Sequence, residues 1–316
     1  MTAKQILTRF RAYQLGQAGS SFSYFANGKF TLIEARITDT SRENLNAEIK
    51  HCGKQRIDNL HITSWDQDHC AVADLEEILA TYKPKKVEYP GYNPESDCGK
   101  KCREMILQYK HQCFQQGDPV HCSSISPEYI KKLNDATKLG YKNILYWPKE
   151  FSTENANDNS VVKFFRDGSF NVLSLGDVEN ITGIGGWSFK HEVDILILAH
   201  HGANCATNSK KFLKKISPRI AICSSNYGNQ YDHPRQEVRN RLDELDVPIY
   251  TAKTGDIVVE SVHPHDRAFK VTNLKANSAE ISSEKVFKIK KHYFLSMNLD
   301  TRKNLYSGVP LYRRKR

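Results

Sequence analysis

The sequence lacks an apolar run that could cross a bilayer. The longest run, Ile195 to Ala199, is far shorter than the roughly 20 residues that a spanning helix needs. The segment after Met1 also lacks the apolar core of a secretory signal. We therefore expect a cytoplasmic protein with no transmembrane segment. In that compartment the eight cysteines are expected to be reduced thiols, which excludes a disulfide framework.

The sequence also lacks the closely spaced C-x2-C pairs that are typical of zinc modules. Four of the eight cysteines nevertheless fall between residues 98 and 122, with a histidine among them. Two interpretations stay open, a structural zinc site or scattered free thiols. The zinc ligands would be Cys98, Cys102, Cys113 and either His121 or Cys122.

Residues 1–260 have almost no net charge, because the basic residues are concentrated at the end of the chain. Residues 261–316 contain 13 Lys and Arg against 4 Asp and Glu, a net charge of +9 out of a total of +10. Such a segment predicts a polyanionic partner, nucleic acid first and an anionic membrane second, although a merely solubilising tail is the alternative.

Cationic and aromatic side chains alternate within this basic segment, a pattern that suits single-stranded nucleic acid. The other interpretation is an amphipathic strand or helix that closes the core, followed by a disordered end at Arg313–Arg316. The alternating residues are Lys285, Phe287, Lys288, Lys290, Lys291, His292, Tyr293 and Phe294.

The order of predicted elements is β-rich, then β/α, then a β-hairpin, then β/α again, with no internal repeat or low-complexity segment. Asn27-Gly28 and Asp167-Gly168 mark the two hairpin turns. This order predicts an α/β (α+β) fold, an αββα sandwich of two mixed sheets with helices outside. We predict one domain over residues 1–262, with an insertion at about 90–157 where Pro and Gly interrupt the pattern, and a basic C-terminal extension over 263–316.

Metal-capable side chains follow three separate predicted strands. Ligands are typically gathered in this way, from loops at one edge of a rigid scaffold. Carboxylate and imidazole groups without a cysteine ligand suit zinc, manganese or iron in a catalytic site. The side chains are Asp66, Asp68 and His69 after the first strand, Asp177 after the second, and His200 and His201 after the third.

Two of these segments resemble known motifs. Ser64-Trp65-Asp66-Gln67-Asp68-His69 resembles the H-x-[HD]-x-D-H motif of the metallo-β-lactamase fold, and Ser174-Leu175-Gly176-Asp177 resembles its bridging-aspartate motif. Over about residues 10–260 the chain is most similar to the soluble hydrolase domain of ComEC-type DNA-uptake proteins. The landmarks of that resemblance are Leu15-Gly16-Gln17, Leu32-Ile33-Glu34, Asn157–Ser160, Ala199–Gly202 and Tyr231–Pro234.

The resemblance implies a metal-dependent hydrolase, a phosphodiesterase or nuclease that acts on nucleic acid through a metal-activated hydroxide. The implied cofactor is one or two divalent ions, zinc or manganese. Asp68, His69 and His201 would hold one ion, Asp177 would bridge to a second, and Asp66 would bind that second ion. The implied catalytic residues are Asp68, His200 and His233, the two histidines lying near a phosphate oxygen or the leaving group.

The chain departs from the motif at its first position, where Ser64 replaces a histidine and a hydroxyl is the poorer ligand. Between residue 72 and Ser160, His121 is the one loose candidate for another ligand of a second ion. Two ions, one ion or an inactive site therefore stay open. The alternative functions are a catalytically degenerate binding or scaffolding subunit with protein partners, and a hydrolase of a small phosphodiester or phospholipid head group.

Overall fold

The computed structural model describes residues 7–133, 143–181, 192–262 and 267–290. Their strands form two sheets, and the predicted hairpin at Asn27-Gly28 lies in the larger one. The larger sheet has nine strands in the order β15-β14-β13-β1-β2-β3-β4-β5-β6. These are β1 Arg9–Ala12, β2 Phe22–Ala26, β3 Lys29–Ile33, β4 Asn59–His61, β5 Lys86–Pro90, β6 His121–Ile125, β13 Ile257–Val262, β14 Ala268–Leu274 and β15 Ile281–Lys288.

The second sheet has six strands in the order β12-β11-β10-β9-β8-β7. Strands β9 to β12 are parallel to one another, and their nearly continuous apolar sequences are those of strands buried on both faces. The six are β7 Ile144–Trp147, β8 Val162–Phe165, β9 Val172–Ser174, β10 Ile195–Ile197, β11 Ile220–Cys223 and β12 Ile249–Thr251.

Helices cover the outer face of each sheet. One buried apolar cluster joins the facing sides of the two sheets, for example Phe22 with Val172. A second lies between the nine-stranded sheet and α1, α2 and α3, and a third between the six-stranded sheet and α5 and α6. The predicted αββα sandwich is thus confirmed. The helices are α1 Asp39–His51, α2 Val72–Glu77 with a π-helical turn Ile78–Tyr82, α3 Asp97–Gln115, α4 Pro127–Leu133, α5 Lys210–Ile216 and α6 Gln236–Asp243.

Local sequence explains the hairpins. Asn27 and Gly28 both have positive φ, 51° and 70°, which is the backbone of the tight hairpin turn that an Asn-Gly pair favours. The predicted second hairpin is also confirmed, since β8 and β9 pair antiparallel.

The segment predicted as an insertion, about 90–157, contributes a strand to each sheet. Strand β6 pairs in parallel with β5 at the edge of the larger sheet, and β7 pairs with β8 at the edge of the smaller one. The predicted domain boundary at residue 262 lies between β13 and β14, which pair antiparallel along their whole length.

The basic segment contributes the last two strands of the larger sheet, β14 and β15. Phe287 stacks on buried Phe269 at 5.5 Å, and Lys290 is buried, with its backbone N–H donated to Asp194 at 2.8 Å. The prediction of a nucleic-acid surface was therefore wrong for Lys290, because its side chain is buried in the protein, whereas Phe287 packs on the sheet and stays partly exposed. Lys285 and Lys288 are exposed on β15. Residues 291–316, with Lys291, His292, Tyr293, Phe294 and Arg313–Arg316, lie outside the described residues.

None of the helices in the described ranges combines the length and the apolar character that a bilayer-spanning helix requires.

Candidate metal centre

Three of the predicted ligands, Asp66, Asp68 and His69, lie on the turn after β4. The backbone N–H groups of His69 and Cys70 both donate to the carbonyl of Asp66, at 2.9 and 2.8 Å. This tight turn places Asp68 and His69 side by side at the carboxyl end of a parallel strand. Such strand ends are where α/β sheets commonly bind ligands.

Asp177 is placed by the turn that follows β9. Gly176 has φ of 55°, and a Cβ there would approach the side chains of Ser160 and Thr63 to 3.0 Å. Only glycine adopts this backbone without steric cost. The Gly-Asp sequence therefore brings a carboxylate against the end of β4.

The third strand end carries the His200-His201 pair in a strained turn. Both residues have left-handed backbones, with φ of 46° and 51°, a conformation that costs about 1–3 kcal/mol per non-glycine residue. The turn is held by His200 N–H donating to Gly176 O at 3.0 Å and by Cys223 Sγ donating to His201 O at 2.9 Å. Contacts with the ends of two neighbouring strands thus fix the orientation of both imidazoles.

Four side chains from these three turns converge. One ligand atom each from Asp68, His69, Asp177 and His201 lies within 4.8 Å of the other three. His69 Nε2 is 2.9 Å from Asp177 Oδ1, and His201 Nε2 is 3.0 Å from Asp68 Oδ2. His69 and Asp177 are buried, whereas the side chain of Asp68 is 36% exposed. The cluster is therefore open to solvent on the side of Asp68, as a catalytic site requires and a closed structural site does not.

A second layer of polar groups orients both imidazoles. His201 Nδ1 lies 3.0 Å from the carbonyl of Ser224, and His69 Nδ1 lies 3.3 Å from both Thr63 Oγ1 and Glu34 Oε1. These acceptors favour a proton on each Nδ1 and direct each Nε2 toward the cluster, as is usual for metal-binding histidines.

The four groups shift one another's pKa values. Burial opposes the charged form of His69, but Asp177, Glu34 and Asp68 together raise its pKa well above the ordinary value. Burial likewise opposes the charged form of Asp177, yet His69 lowers its pKa. The carboxylates of the centre thus stabilise a positive charge on His69. The same negative surroundings would stabilise a divalent cation.

The residues present fit a metal ion. His69 Nε2 is buried and has no partner with hydrogen-bond geometry in the described chain, although it lies close to Asp177 Oδ1. Burying such an atom without a partner costs about 1–3 kcal/mol. Two imidazole nitrogens and two carboxylates are the ligand types of zinc and manganese hydrolase sites.

A glycine-containing loop supports the turn of Asp68. Ser20 N–H donates to Asp68 O at 3.0 Å, and Ser224 Oγ donates to Gly19 O at 2.8 Å. Gly19 has φ of 132°, and a Cβ there would lie 2.7 Å from Asp68 O. This loop connects the turn of Asp68 to Ser224 at the end of β11, whose carbonyl contacts His201 Nδ1.

Three other predicted site residues lie outside the converging group. Asp66 accepts a hydrogen bond from Ser64 Oγ at 2.8 Å, and Ser64 is fully buried. His200 Nδ1 is 2.8 Å from Glu179 Oε1. The ring of His233 lies 5.8 Å from that of His200, so both histidines border the cluster without joining it.

The cysteines of the zinc hypothesis are arranged differently. Cys98 and Cys102 on α3 both direct Sγ to the carbonyl of Cys70, at 3.5 Å each. In the described part of the chain, the one group of three or more metal-capable side chains is the Asp68 cluster, which includes neither these cysteines nor His121.

The sequence patterns missed the supporting residues Glu34, Glu179 and Ser224. Glu34 belongs to the Leu32-Ile33-Glu34 landmark of the resemblance, but that landmark does not indicate a role for Glu34 in the site. A positive φ of 71° at this buried glutamate is a structural sign that no sequence pattern displays. Glu179 follows Asp177 by two residues, and that proximity was the one available signal.

Comparisons with known proteins match parts of the chain. No family model matches. Over 100 residues, 30% of this chain, it is 35% identical to competence protein ComA of Neisseria gonorrhoeae. Over 113 residues, 35% of this chain, it is 30% identical to recombination protein 2 of Haemophilus influenzae. The matched segment spans 14% of the length of each of these relatives.

Among solved structures, the chain is similar to the metallo-beta-lactamase fold protein YhfI from Bacillus subtilis. The TM-score is 0.51 at 11% sequence identity, over 80% of this chain and 100% of that chain. This likeness, together with the two facing mixed sheets and their outer helices, shows the fold.

Proposed function

We propose that this chain, which has the metallo-β-lactamase fold, is a metal-dependent hydrolase, and specifically a phosphodiesterase that acts on nucleic acid. The observation that supports this most strongly is the convergence of Asp68, His69, Asp177 and His201 within 4.8 Å. These four would hold one zinc or manganese ion. A divalent ion there supplies Lewis acidity and lowers the pKa of water towards about 7.

The protein's own part in this chemistry is to fix the ligands and leave one side open. His69 and Asp177 form the buried floor, and Asp68, whose side chain is 36% exposed, faces the solvent from which substrate enters. Because Nδ1 of both ligand histidines is held by an acceptor, neither imidazole needs to reorient during turnover. Such preorganisation is where proteins gain most of their catalytic electrostatics.

His233 is suited to contact a phosphate oxygen. Burial first, and then the neighbouring imidazoles of His200 and His201, lower the pKa of His233 to about 4, so the His233 ring is neutral at pH 7. Its buried Nδ1 has no hydrogen-bond partner in the described chain. This unpaired ring nitrogen, on an imidazole whose centre lies 5.8 Å from that of His200, is the reason for placing a substrate contact at His233.

His200 is suited to move a proton. Its Nδ1 lies 2.8 Å from Glu179 Oε1, and Glu179 Oε2 accepts from Asn155 Nδ2 at 2.9 Å. A carboxylate that is itself anchored fixes the orientation of the imidazole, as in carboxylate–histidine pairs that act as general acid or base. We assign His200 to protonation of the leaving oxygen.

Nucleic acid is the proposed substrate for two reasons. The basic charge is concentrated in residues 261–316, and Lys285 and Lys288 are exposed on β15. In addition, the partial sequence relatives carry the names competence protein and recombination protein.

The test is cleavage of bis-p-nitrophenyl phosphate and of single-stranded DNA with Mn2+ or Zn2+ added. We expect metal-dependent cleavage that Asp177→Ala abolishes. Glu43→Ala removes an exposed carboxylate on α1 and serves as the matched control, with activity retained. Cleavage that persists in Asp177→Ala would refute the assignment of this cluster as the catalytic site.

A second candidate function rests on Ser64. Its hydroxyl is committed to Asp66 where the motif has a histidine, which leaves Asp66 outside the converging group. A binding or scaffolding subunit without turnover is the function that this observation favours. This second function would be supported if the metal-loaded chain bound nucleic acid or protein partners but cleaved no phosphodiester.

A further inference from the structure

Two large aromatic side chains are exposed on the loop 226–233, which also carries His233 at the border of the candidate metal centre. Tyr227 is 68% exposed and Tyr231 is 61% exposed. We call these two residues the tyrosine platform. Neither is needed to fill the core, so the function of this exposed aromatic surface needs another explanation.

A series of neighbouring rings connects Tyr231 of this platform to the cluster. The ring of Tyr231 stacks on that of His233, with centroids 5.6 Å apart and an angle of 27°. His233 is 5.8 Å from His200, which is 6.3 Å from His201. One face of Tyr231 is thus covered by His233, while its high exposure leaves the other face open.

The loop that carries the platform is preorganised by one asparagine. Asn229 Nδ2 donates to Asn226 O and to His233 O, both at 3.0 Å, and Asn229 Oδ1 accepts from His233 N–H at 2.7 Å. A fixed aromatic surface binds a flat ligand without first losing conformational entropy.

Cationic groups accompany the platform. Lys253 Nζ lies 5.9 Å from the centre of the Tyr227 ring, and Arg235 donates to Tyr231 O at 3.1 Å. Aromatic faces interleaved with cations are typical of surfaces that bind unpaired nucleic acid, where bases stack and phosphates pair with Lys or Arg.

We propose that the tyrosine platform binds the bases of a single-stranded nucleic acid, with one base stacked on the open face of Tyr231. Bases inside a duplex have both faces covered by their neighbours, so they cannot stack on a side chain without being unstacked first. The platform would therefore select unpaired strands. This inference rests on the proposed function in one respect only, which is that the phosphate of the bound strand lies at the metal centre.

The test compares two single strands of equal length and equal charge. One is an oligothymidine, the other carries abasic sugars in place of the nucleosides, and both are labelled with fluorescein. Both have phosphorothioate linkages that slow cleavage, and fluorescence anisotropy measures their affinity for the metal-loaded chain. We expect the base-containing strand to bind about tenfold more tightly, since stacking contributes about 1–3 kcal/mol per base.

Variants of Tyr231 locate the effect. Tyr231→Ala should remove most of the preference for bases and leave affinity for the abasic strand unchanged. Tyr231→Phe keeps an aromatic face and should retain the preference within about twofold. The Phe variant also separates lost stacking from a misfolded loop.

Three outcomes would overturn the proposal: equal affinity of wild type for the two strands, an equal loss on both strands in Tyr231→Ala, or the same dependence on Tyr231 for a duplex. Failure of the proposed function is distinguishable. If the chain prefers bases but cleaves no phosphodiester, the tyrosine-platform proposal stands and the hydrolase proposal is refuted. If it cleaves phosphodiesters without preferring bases, only the tyrosine-platform proposal is refuted.

Discussion

Glu34→Gln should weaken metal binding without removing any metal ligand. Glu34 is buried, with Oε1 accepting from Thr63 Oγ1 at 2.6 Å and Oε2 accepting from Thr63 N–H at 2.9 Å. Oε1 also lies 3.3 Å from His69 Nδ1. Glutamine has nearly the same shape, but one of its two oxygens becomes an NH2 group. One of the donors that faces Glu34 then loses its acceptor.

The magnitude follows from the role of such supporting groups. Removing a partner of a ligand histidine typically costs 10- to 100-fold in metal affinity, equivalent to about 1.4–2.7 kcal/mol. The charge of Glu34 also contributes to raising the pKa of His69, so its neutralisation weakens the attraction for any cation at this position. Both effects act in the same direction.

The assay is a zinc titration in competition with a chromophoric chelator. Wild type and Glu34→Gln are compared with Glu179→Gln, which makes the same chemical change at a carboxylate that contacts His200 rather than a member of the cluster. We expect weaker zinc binding in Glu34→Gln alone. A dissociation constant for Glu34→Gln within about twofold of wild type would refute the orienting role of Glu34.

Three further predictions concern catalysis, loop strain and pH. Glu179→Gln should lower kcat by about 10²-fold or more, the scale of general acid–base catalysis, and should retain its zinc affinity. Steady-state kinetics and the zinc titration measure these two quantities, and an unchanged kcat would contradict the prediction. Gly19→Ala should destabilise the chain by about 1–3 kcal/mol, because its Cβ would lie 2.7 Å from Asp68 O; urea unfolding measures this, and an unchanged midpoint argues against a strained contact. Burial raises the pKa of Asp194 from 3.8 to about 6, so the folded state holds its proton more tightly and the contribution of Asp194 to stability is lost as the pH rises from about 4 to about 6. Over that window the free energy of unfolding of wild type should fall by about 3 kcal/mol relative to Asp194→Asn, and a pH-independent difference between the two would show that Asp194 has no such shift.

The sequence predicted the layers of the fold because its patterns are local. Asn27-Gly28 sets a hairpin turn from two adjacent residues, and the apolar run at Ile195 marks a buried strand by itself. The strand order is different, since β13 pairs with β1, as where Glu260 lies opposite Arg9, and no local pattern encodes a contact between residues so far apart in sequence.

The candidate site shows the same division. Asp68, His69, Asp177 and His201 were each recognisable at a strand end, and the structure brings these four together. Their support was not recognisable, because it comes from residues remote in sequence, as when Ser224 Oγ contacts the Gly19 carbonyl.

The basic segment was misjudged in part for a related reason. The alternation around Phe287 fits an exposed binding strip and an amphipathic edge strand equally well. The contact with Phe269 on β14 decides between them, and that contact depends on sheet pairing rather than on composition.

The most direct test of the account is the metal content of the purified chain. Elemental analysis of wild type is expected to find at least one tightly bound zinc or manganese ion per chain, and His69→Ala is expected to lose it while remaining folded by circular dichroism. Wild type that binds no divalent ion, even after incubation with excess Zn2+ or Mn2+, would contradict the assignment of Asp68, His69, Asp177 and His201 as a metal centre.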